Sequence, residues 1–169
     1  MAKRITLTDF LSQHGKTLSL EHLNQEMSLD RSLTTAQLNR PGLELVGYWD
    51  FFVPERIQIF GNKEIAFLET LPDDDLYDMI TRLFQMNVPC VIFANNLAPE
   101  PMIFELAKEY GIPMLRSELS ATDFMGKTNE LLSSEFAPTI NLHGSMVDVY
   151  GIGLLFTGRS GIGKSEVAL

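Results

Sequence analysis

An α/β fold with a largely parallel sheet is predicted by two observations: three strand-like apolar runs alternate with three amphipathic helical segments in the middle of the sequence, and a strand, a glycine loop and a helix start follow one another near its end. The first helix follows Leu71-Pro72-Asp73, and its apolar positions Leu76, Met79, Ile80 and Leu83 keep helical spacing. Asp73, Asp74 and Asp75 stand where carboxylates cap orphan N–H groups and oppose the positive end of the helix dipole. That reading is preferred to a metal site, because consecutive carboxylates at a helix start point in different directions and no other ligand is positioned by the sequence. A strand at Cys90–Ala94 comes next, then a helix from about Pro99 with proline in its first turn and Gly111 as its stop. Ile112-Pro113-Met114-Leu115 reads as a strand. The third helix opens at the capping box Ser120-Ala121-Thr122-Asp123 and carries Phe124, Leu131 and Leu132 to about Ser134.

The N-terminal stretch has a different texture. A short helix is expected around Thr8 to Gln13, and Leu18-Ser19-Leu20 and Ser32-Leu33-Thr34 are too brief to assign. Arg40-Pro41-Gly42 forces a turn that releases a strand from Leu43 to Trp49, while Arg56-Ile57-Gln58-Ile59-Phe60 alternates and reads as a half-buried strand ending at Gly61-Asn62. Arg40 is read as a surface turn residue rather than an anion contact, and Tyr48, Trp49, Phe51 and Phe52 as packing residues rather than a ligand stack. Pro138 prevents the third helix from continuing, which places a domain boundary between Ser133 and Pro138 and gives domains 1–134 and 135–169. A first domain of that size hides roughly two-thirds of its unfolded surface and should fold by itself. The second contains strand-like runs at Ile140-Asn141-Leu142, Met146–Tyr150 and Leu154–Phe156, and reads as the opening of a domain rather than a whole one.

Composition narrows the function classes. The 169 residues are 45% hydrophobic, as in an ordinary globular protein, and the net charge of −9 without any Lys/Arg cluster argues against a nucleic-acid partner. The start has no apolar h-region, and no stretch approaches the roughly eighteen apolar residues of a membrane span, so a soluble cytoplasmic protein with no membrane partner is expected. The single cysteine, Cys90, lies in an apolar run and reads as a small buried residue rather than a reactive thiol.

Gly158-Arg159-Ser160-Gly161-Ile162-Gly163-Lys164-Ser165 fits the phosphate-loop pattern G-x-x-x-x-G-K-[ST]. The pattern follows from the chemistry of a triphosphate: glycines let backbone N–H groups close around anionic oxygens, Lys164 reaches the β/γ-phosphates and the Ser165 hydroxyl ligates Mg²⁺. Leu154-Leu155-Phe156-Thr157 enters the loop as a buried-type strand and Glu166-Val167-Ala168-Leu169 leaves it as a helical turn, so this context favours a phosphate loop over a glycine-rich structural turn. ATP with Mg²⁺ is the expected ligand.

Two separated segments carry a family resemblance. Asn39-Arg40-Pro41-Gly42-Leu43-Glu44-Leu45-Val46-Gly47-Tyr48 with Pro54–Gly61 resembles the N-terminal domain of the bacterial HPr kinase/phosphorylases. His143-Gly144-Ser145-Met146-Val147-Asp148-Val149-Tyr150-Gly151-Ile152-Gly153, running into Gly158–Glu166, resembles the entry to that family's catalytic domain. The resemblance implies ATP-dependent phosphorylation of a serine on the phosphocarrier protein HPr, its reversal by inorganic phosphate, and a role in regulating carbohydrate metabolism. It implies a first domain similar to the uridine-nucleotide-binding domain of Mur ligases, followed by the first strands and phosphate loop of a P-loop kinase domain, in a homo-oligomer that is generally a hexamer.

Carried over residue by residue, Gly158 to Ser165 form the nucleotide loop, Lys164 contacts phosphate, Ser165 ligates Mg²⁺ and His143 is the active-site histidine. Read without the resemblance, a lone histidine before a glycine and a strand is more often a hydrogen-bonded structural residue. Asp148, in an apolar strand, is left out of the catalytic set, and Arg159 occupies a variable loop position. The aspartate that accepts and donates the proton, the acidic Mg²⁺ ligand and the HPr-binding loop follow the phosphate loop in the family and are absent from these residues. The chain by itself is therefore expected to be inactive. Two other readings stay open: residues 1–134 as a regulatory module binding a nucleotide sugar or phosphorylated metabolite near Arg40–Gly42, and another P-loop kinase or ATPase.

Overall fold

A computed structural model of the chain describes residues 3–138, 142–159 and 161–167, the side chains of Ser165 and Val167 excepted. The chain divides into two compact units, Met1–Phe136 and Ala137–Leu169. The first runs β1 (Ile5–Thr6), α1 (Leu7–His14), β2 (Leu20–His22), β3 (Ser32–Leu33), β4 (Leu38–Asn39), a 3-10 helix (Leu43–Val46), β5 (Ile57–Phe60), α2 (Asn62–Leu68), α3 (Asp73–Gln85), β6 (Val91–Phe93), α4 (Pro101–Glu109), β7 (Met114–Ser117) and α5 (Ala121–Phe136).

Five strands form one sheet in the order β2-β7-β6-β5-β4, parallel throughout except for β2 against β7. The parallel-dominated α/β architecture expected from the alternation of elements is therefore present. Strands alternate their side chains between faces, so β5 sends Ile57 and Ile59 to one side and Phe60 to the other. Phe60, Val91 and Phe93 pack with Leu76, Ile80 and Leu83 of α3 and Ile103 and Leu106 of α4. Across the sheet, Ile57, Ile59, Ile92 and Leu115 pack with Leu7 and Phe10 of α1 and Phe124 and Leu132 of α5. Helices thus cover both faces, as parallel strands require.

Three expectations change. Arg56–Phe60 is not half-buried: β5 lies between β4 and β6, and every residue from Ile57 to Phe60 is buried. Gln58 looked like a solvent-facing position because it is polar, yet its amide accepts from Asn39 Nδ2 at 2.8 Å and donates to the Arg56 carbonyl at 2.7 Å. Leu43–Trp49 is not a strand. The Glu44 carboxylate accepts the Gly42 N–H at 2.8 Å and Gly47, at φ +88°, closes a 3-10 turn. Helix α2 was not anticipated; Gly61 opens it, with Glu64 reaching back to the Gly61 N–H at 2.8 Å. The segment expected as a strand at Ile140-Asn141-Leu142 lies outside the described residues except for Leu142, which belongs to no strand.

Two sequence readings gain detail. Ser120 and Asp123 form the expected capping pair, with Asp123 N–H donating to Ser120 Oγ at 3.1 Å. Helix α3 begins after Pro72 without a side-chain cap, so Asp73, Asp74 and Asp75 act through the helix dipole alone. Cys90 is fully buried, and burial pushes its thiol up to about 12. A thiolate is the reactive form, so this residue is packing material.

The second unit is a hairpin, β8 (Gly144–Val149) and β9 (Ile152–Thr157), followed by α6 (Lys164–Val167). Its two-residue turn has Tyr150 at φ +54° and Gly151 at φ +82°, the mirror-image turn that matches strand twist. Asp148 Oδ1 accepts the Gly151 N–H at 2.8 Å, a structural turn role. Gly144 admits no side chain, since a Cβ there would stand 2.6 Å from the Phe156 carbonyl oxygen.

Asn24 is wholly buried and ties the chain after β2 to the approach of β7, donating to the Ile112 carbonyl at 2.9 Å and accepting the Met114 N–H at 2.8 Å. Asn24→Ala strands two backbone groups and should cost about 2–4 kcal/mol in urea unfolding followed by Trp49 fluorescence; a loss below about 0.5 kcal/mol would contradict this pairing. Gly144→Ala should erase the cross-strand NOEs of Ser145 with Phe156, and retention of those NOEs with unshifted loop amides would show that the strand can move aside.

Candidate functional site

The site is built by strand register and backbone conformation. Gly144 pairs with Thr157 in the antiparallel hairpin, so the residue before β8, His143, comes opposite the residue after β9, Gly158. Past Gly158 the backbone turns through Gly161 at φ +83° and Gly163 at φ +89° before entering α6 at Lys164. Those two angles lie in the left-handed region, where an L side chain costs roughly 1–2 kcal/mol, and this is why glycine occupies both positions. Lys164 folds back over the loop: its Nζ donates to the carbonyls of Gly158 at 2.8 Å and Arg159 at 2.7 Å.

A solvent-open cavity of about 850 Å³ results, lined by His143, Gly158, Arg159, Gly161, Gly163 and Lys164. Six of the residues expected at the site are thereby brought together. Ile162 is 69% exposed and does not line the cavity, while Ser160 and the Ser165 side chain lie outside the described residues. Gly144, Ser145 and Glu166 also line it, and the motif alone did not point to them. Ser145 was accessible to a strand argument, because it lies in β8 two residues after His143. Glu166 follows the motif by one residue and adds one carboxylate to a wall that otherwise carries Lys164, Arg159 and His143. The wall has cationic and backbone groups suited to an oxyanion.

The other anion candidate has its partner already. Arg40 Nη2 meets Glu64 Oε2 at 2.8 Å, and the Gly42 N–H that might have faced a ligand is held by Glu44. Arg40 is therefore a half-buried structural cation, not a surface turn residue. Burial pushes the Glu64 carboxyl up, but the Arg40 guanidinium and the Gly61 N–H outweigh burial and hold it below its usual range. Trp49 and Phe52 pack edge to face with centroids 5.3 Å apart, and Arg82 lies 5.1 Å from the Trp49 ring. Among the described residues no group of three or more His, Cys, Asp or Glu is placed to hold a metal ion.

Comparison with known proteins covers both units. The family model for the HPr Serine kinase N terminus matches residues 5–132, and that for the HPr Serine kinase C-terminal domain matches residues 134–169. The HPr kinase/phosphorylase of Caldicellulosiruptor bescii is 43% identical over 91% of this chain and 50% of its own length. That of Brevibacillus brevis is 43% identical over 87% of this chain and 47% of its own, and that of Chloroherpeton thalassium 40% identical over 99% and 50%. The chain spans about half the length of the curated relatives it matches. Among solved structures, the CBS and DRTGG domains of the regulatory region of Clostridium perfringens pyrophosphatase, complexed with the activator diadenosine tetraphosphate, align over 70% of this chain and 45% of that one, with a TM-score of 0.49 and 18% identity. Two consecutive family models and curated relatives at this identity give one conclusion: the chain belongs to the HPr kinase/phosphorylase family.

Proposed function

We propose that the complete polypeptide carries out ATP-dependent phosphorylation of a serine on HPr, together with the reverse step by inorganic phosphate, and that residues 158–165 hold the nucleotide's phosphates. The observation that carries this reading is the match to both HPr kinase models across a chain whose glycine loop and Lys164 line one cavity. The donor set suits a polyphosphate: glycine backbone at positive φ, a lysine ammonium and the Arg159 guanidinium. For Mg²⁺ the fit is thinner, since the Ser165 hydroxyl is one ligand and no acidic cluster accompanies it among the described residues. The remaining metal ligand is expected after the loop, as in the family.

ATP supplies the γ-phosphoryl group. This chain's residues bind and orient it: Lys164 exchanges its two carbonyl partners for phosphate oxygens, and the loop glycines bring backbone N–H groups within reach. His143 would orient the attacking group or stabilise developing charge, a role supported by its position one residue before the Gly144–Thr157 pair. The seryl O–H proton needs an acceptor, which the family provides as an aspartate beyond the loop. The domains are assigned as 1–134 and 135–169, the first similar to the uridine-nucleotide-binding domain of Mur ligases and the second beginning a P-loop kinase domain. The enzyme acts as a homo-oligomer, a hexamer by family analogy, in the cytoplasm. No helix among the described residues is long and apolar enough to cross a membrane.

In the complete protein, Lys164→Ala should lower HPr phosphorylation by about 10²–10³-fold, the scale for removing one preorganised charge-stabilising group. Turnover near that of the unmodified protein would remove Lys164 from the site. Residues 1–169 alone, mixed with labelled ATP and HPr, should transfer no label, and detectable phospho-HPr would show that the proton acceptor lies within this chain. ATP hydrolysis by the complete protein without any dependence on HPr would favour a different P-loop enzyme.

A further inference from the structure

Of the half-buried arginines of the first unit, Arg40 and Arg116 meet carboxylates, while Arg31 and Arg56 meet only neutral oxygens among the described residues. Arg40 meets Glu64 at 2.8 Å and Arg116 meets Glu21 at 2.6 Å, whereas among the described residues no carboxylate lies within ion-pair distance of Arg31. Its Nη1 donates to Asn87 Oδ1 and to the Val88 carbonyl, both at 2.8 Å, and its Nη2 and Nε make no hydrogen bond among the described residues. Burial pulls the guanidinium below the ordinary arginine value and no carboxylate offsets that cost.

Beside it lies an open cleft of about 450 Å³ lined by Arg31, Ser32, Thr34, Glu55, Asn87 and Pro89. Asn87 adopts φ +57°, and because its Oδ1 is taken by Arg31 its amide hydrogens remain as donors. The Ser32 and Thr34 hydroxyls add two more. One acid, the exposed Glu55, stands on the same wall.

We propose that this cleft is a binding site for a small oxyanion, a phosphate or a carboxylate, with Arg31 as its counter-charge and Ser32, Thr34 and Asn87 as hydrogen-bond donors. A charge-assisted contact to Arg31 recovers part of the desolvation that the guanidinium already bears. Glu55 opposes the anion, so the site is tuned toward modest affinity. The cleft belongs wholly to the first unit and is independent of the Lys164 cavity and of the reading given to that cavity.

The test is an NMR titration of the ¹⁵N-labelled 169-residue chain with inorganic phosphate and, separately, with malonate. Amides of residues 32, 34 and 87 and the Arg31 Nε–H report on this cleft, while those of residues 158–164 report separately on the glycine loop. Saturable shifts at the first set are expected with at least one of the two anions, and the tighter one identifies the class. Arg31→Gln should weaken binding at least about tenfold. Glu55→Gln, an exposed change that keeps the fold, should tighten it about two- to fivefold by removing a like charge. Shifts that stay linear with both anions, equal affinity in Arg31→Gln, or weaker binding in Glu55→Gln would each overturn the proposal; if Arg31→Gln fails to fold, the Glu55→Gln arm decides alone.

Discussion

Strands β5 and β6 have no face turned to water, and the first unit is organised around that constraint. Parallel strands buried on both sides need helices on both sides, so α3 and α4 cover one face while α1 and α5 cover the other. Several polar groups buried with them are matched by hydrogen bonds. Gln58 is held by Asn39 and the Arg56 carbonyl, Asn24 serves Ile112 and Met114, and Ser117 Oγ donates to the Leu18 carbonyl at 2.6 Å. Arg40 and Glu64 match charge to charge through Nη2, while the buried Arg40 Nε has no hydrogen-bond partner. A pair of this kind contributes little net stability against an apolar replacement, but losing either member would leave an uncompensated ion.

The second unit obeys a different logic. Met146, Ile152 and Leu155 of its hairpin are more than half exposed, and two strands by themselves are marginal in water. What holds the site geometry is local: a register that sets His143 against Gly158, a contact at Gly144 too close for any side chain, and two glycines at positive φ. A cavity made of backbone is less sensitive to distant packing than one made of long side chains. That suits a group recognised mainly through its charge and its oxygens.

These regimes explain how much could be read from residues alone. Helices α3, α4 and α5 and strand β6 were legible because apolar spacing, Gly111 and the Ser120–Asp123 cap agree with the final structure, although α4 starts at Pro101 and not at Pro99. Strand β5 was found but misjudged, since one buried glutamine imitated solvent alternation. Leu43–Val46 was mistaken for a strand because its apolar content hid a turn set by Glu44 and Gly47, and α2 was missed because its signal, Glu64 bonding back to Gly61, needs three-dimensional confirmation. The glycine loop announced itself because its requirements are local. His143 did not, because strand pairing brings it to Gly158 across fifteen residues; only the family resemblance singled it out. Ser145 and Glu166 reach the cavity for reasons the motif does not encode.

The central claim is that the turn from Gly158 to Lys164 was shaped to receive the phosphates of a nucleotide. Isothermal titration calorimetry of the complete polypeptide with ATP and Mg²⁺ tests it most directly. The account predicts a saturable heat corresponding to one nucleotide per chain, weakened at least about tenfold by Lys164→Ala, the scale of losing a charge-assisted phosphate contact. Absence of saturation in the unmodified protein, or the same affinity in the variant, would contradict it.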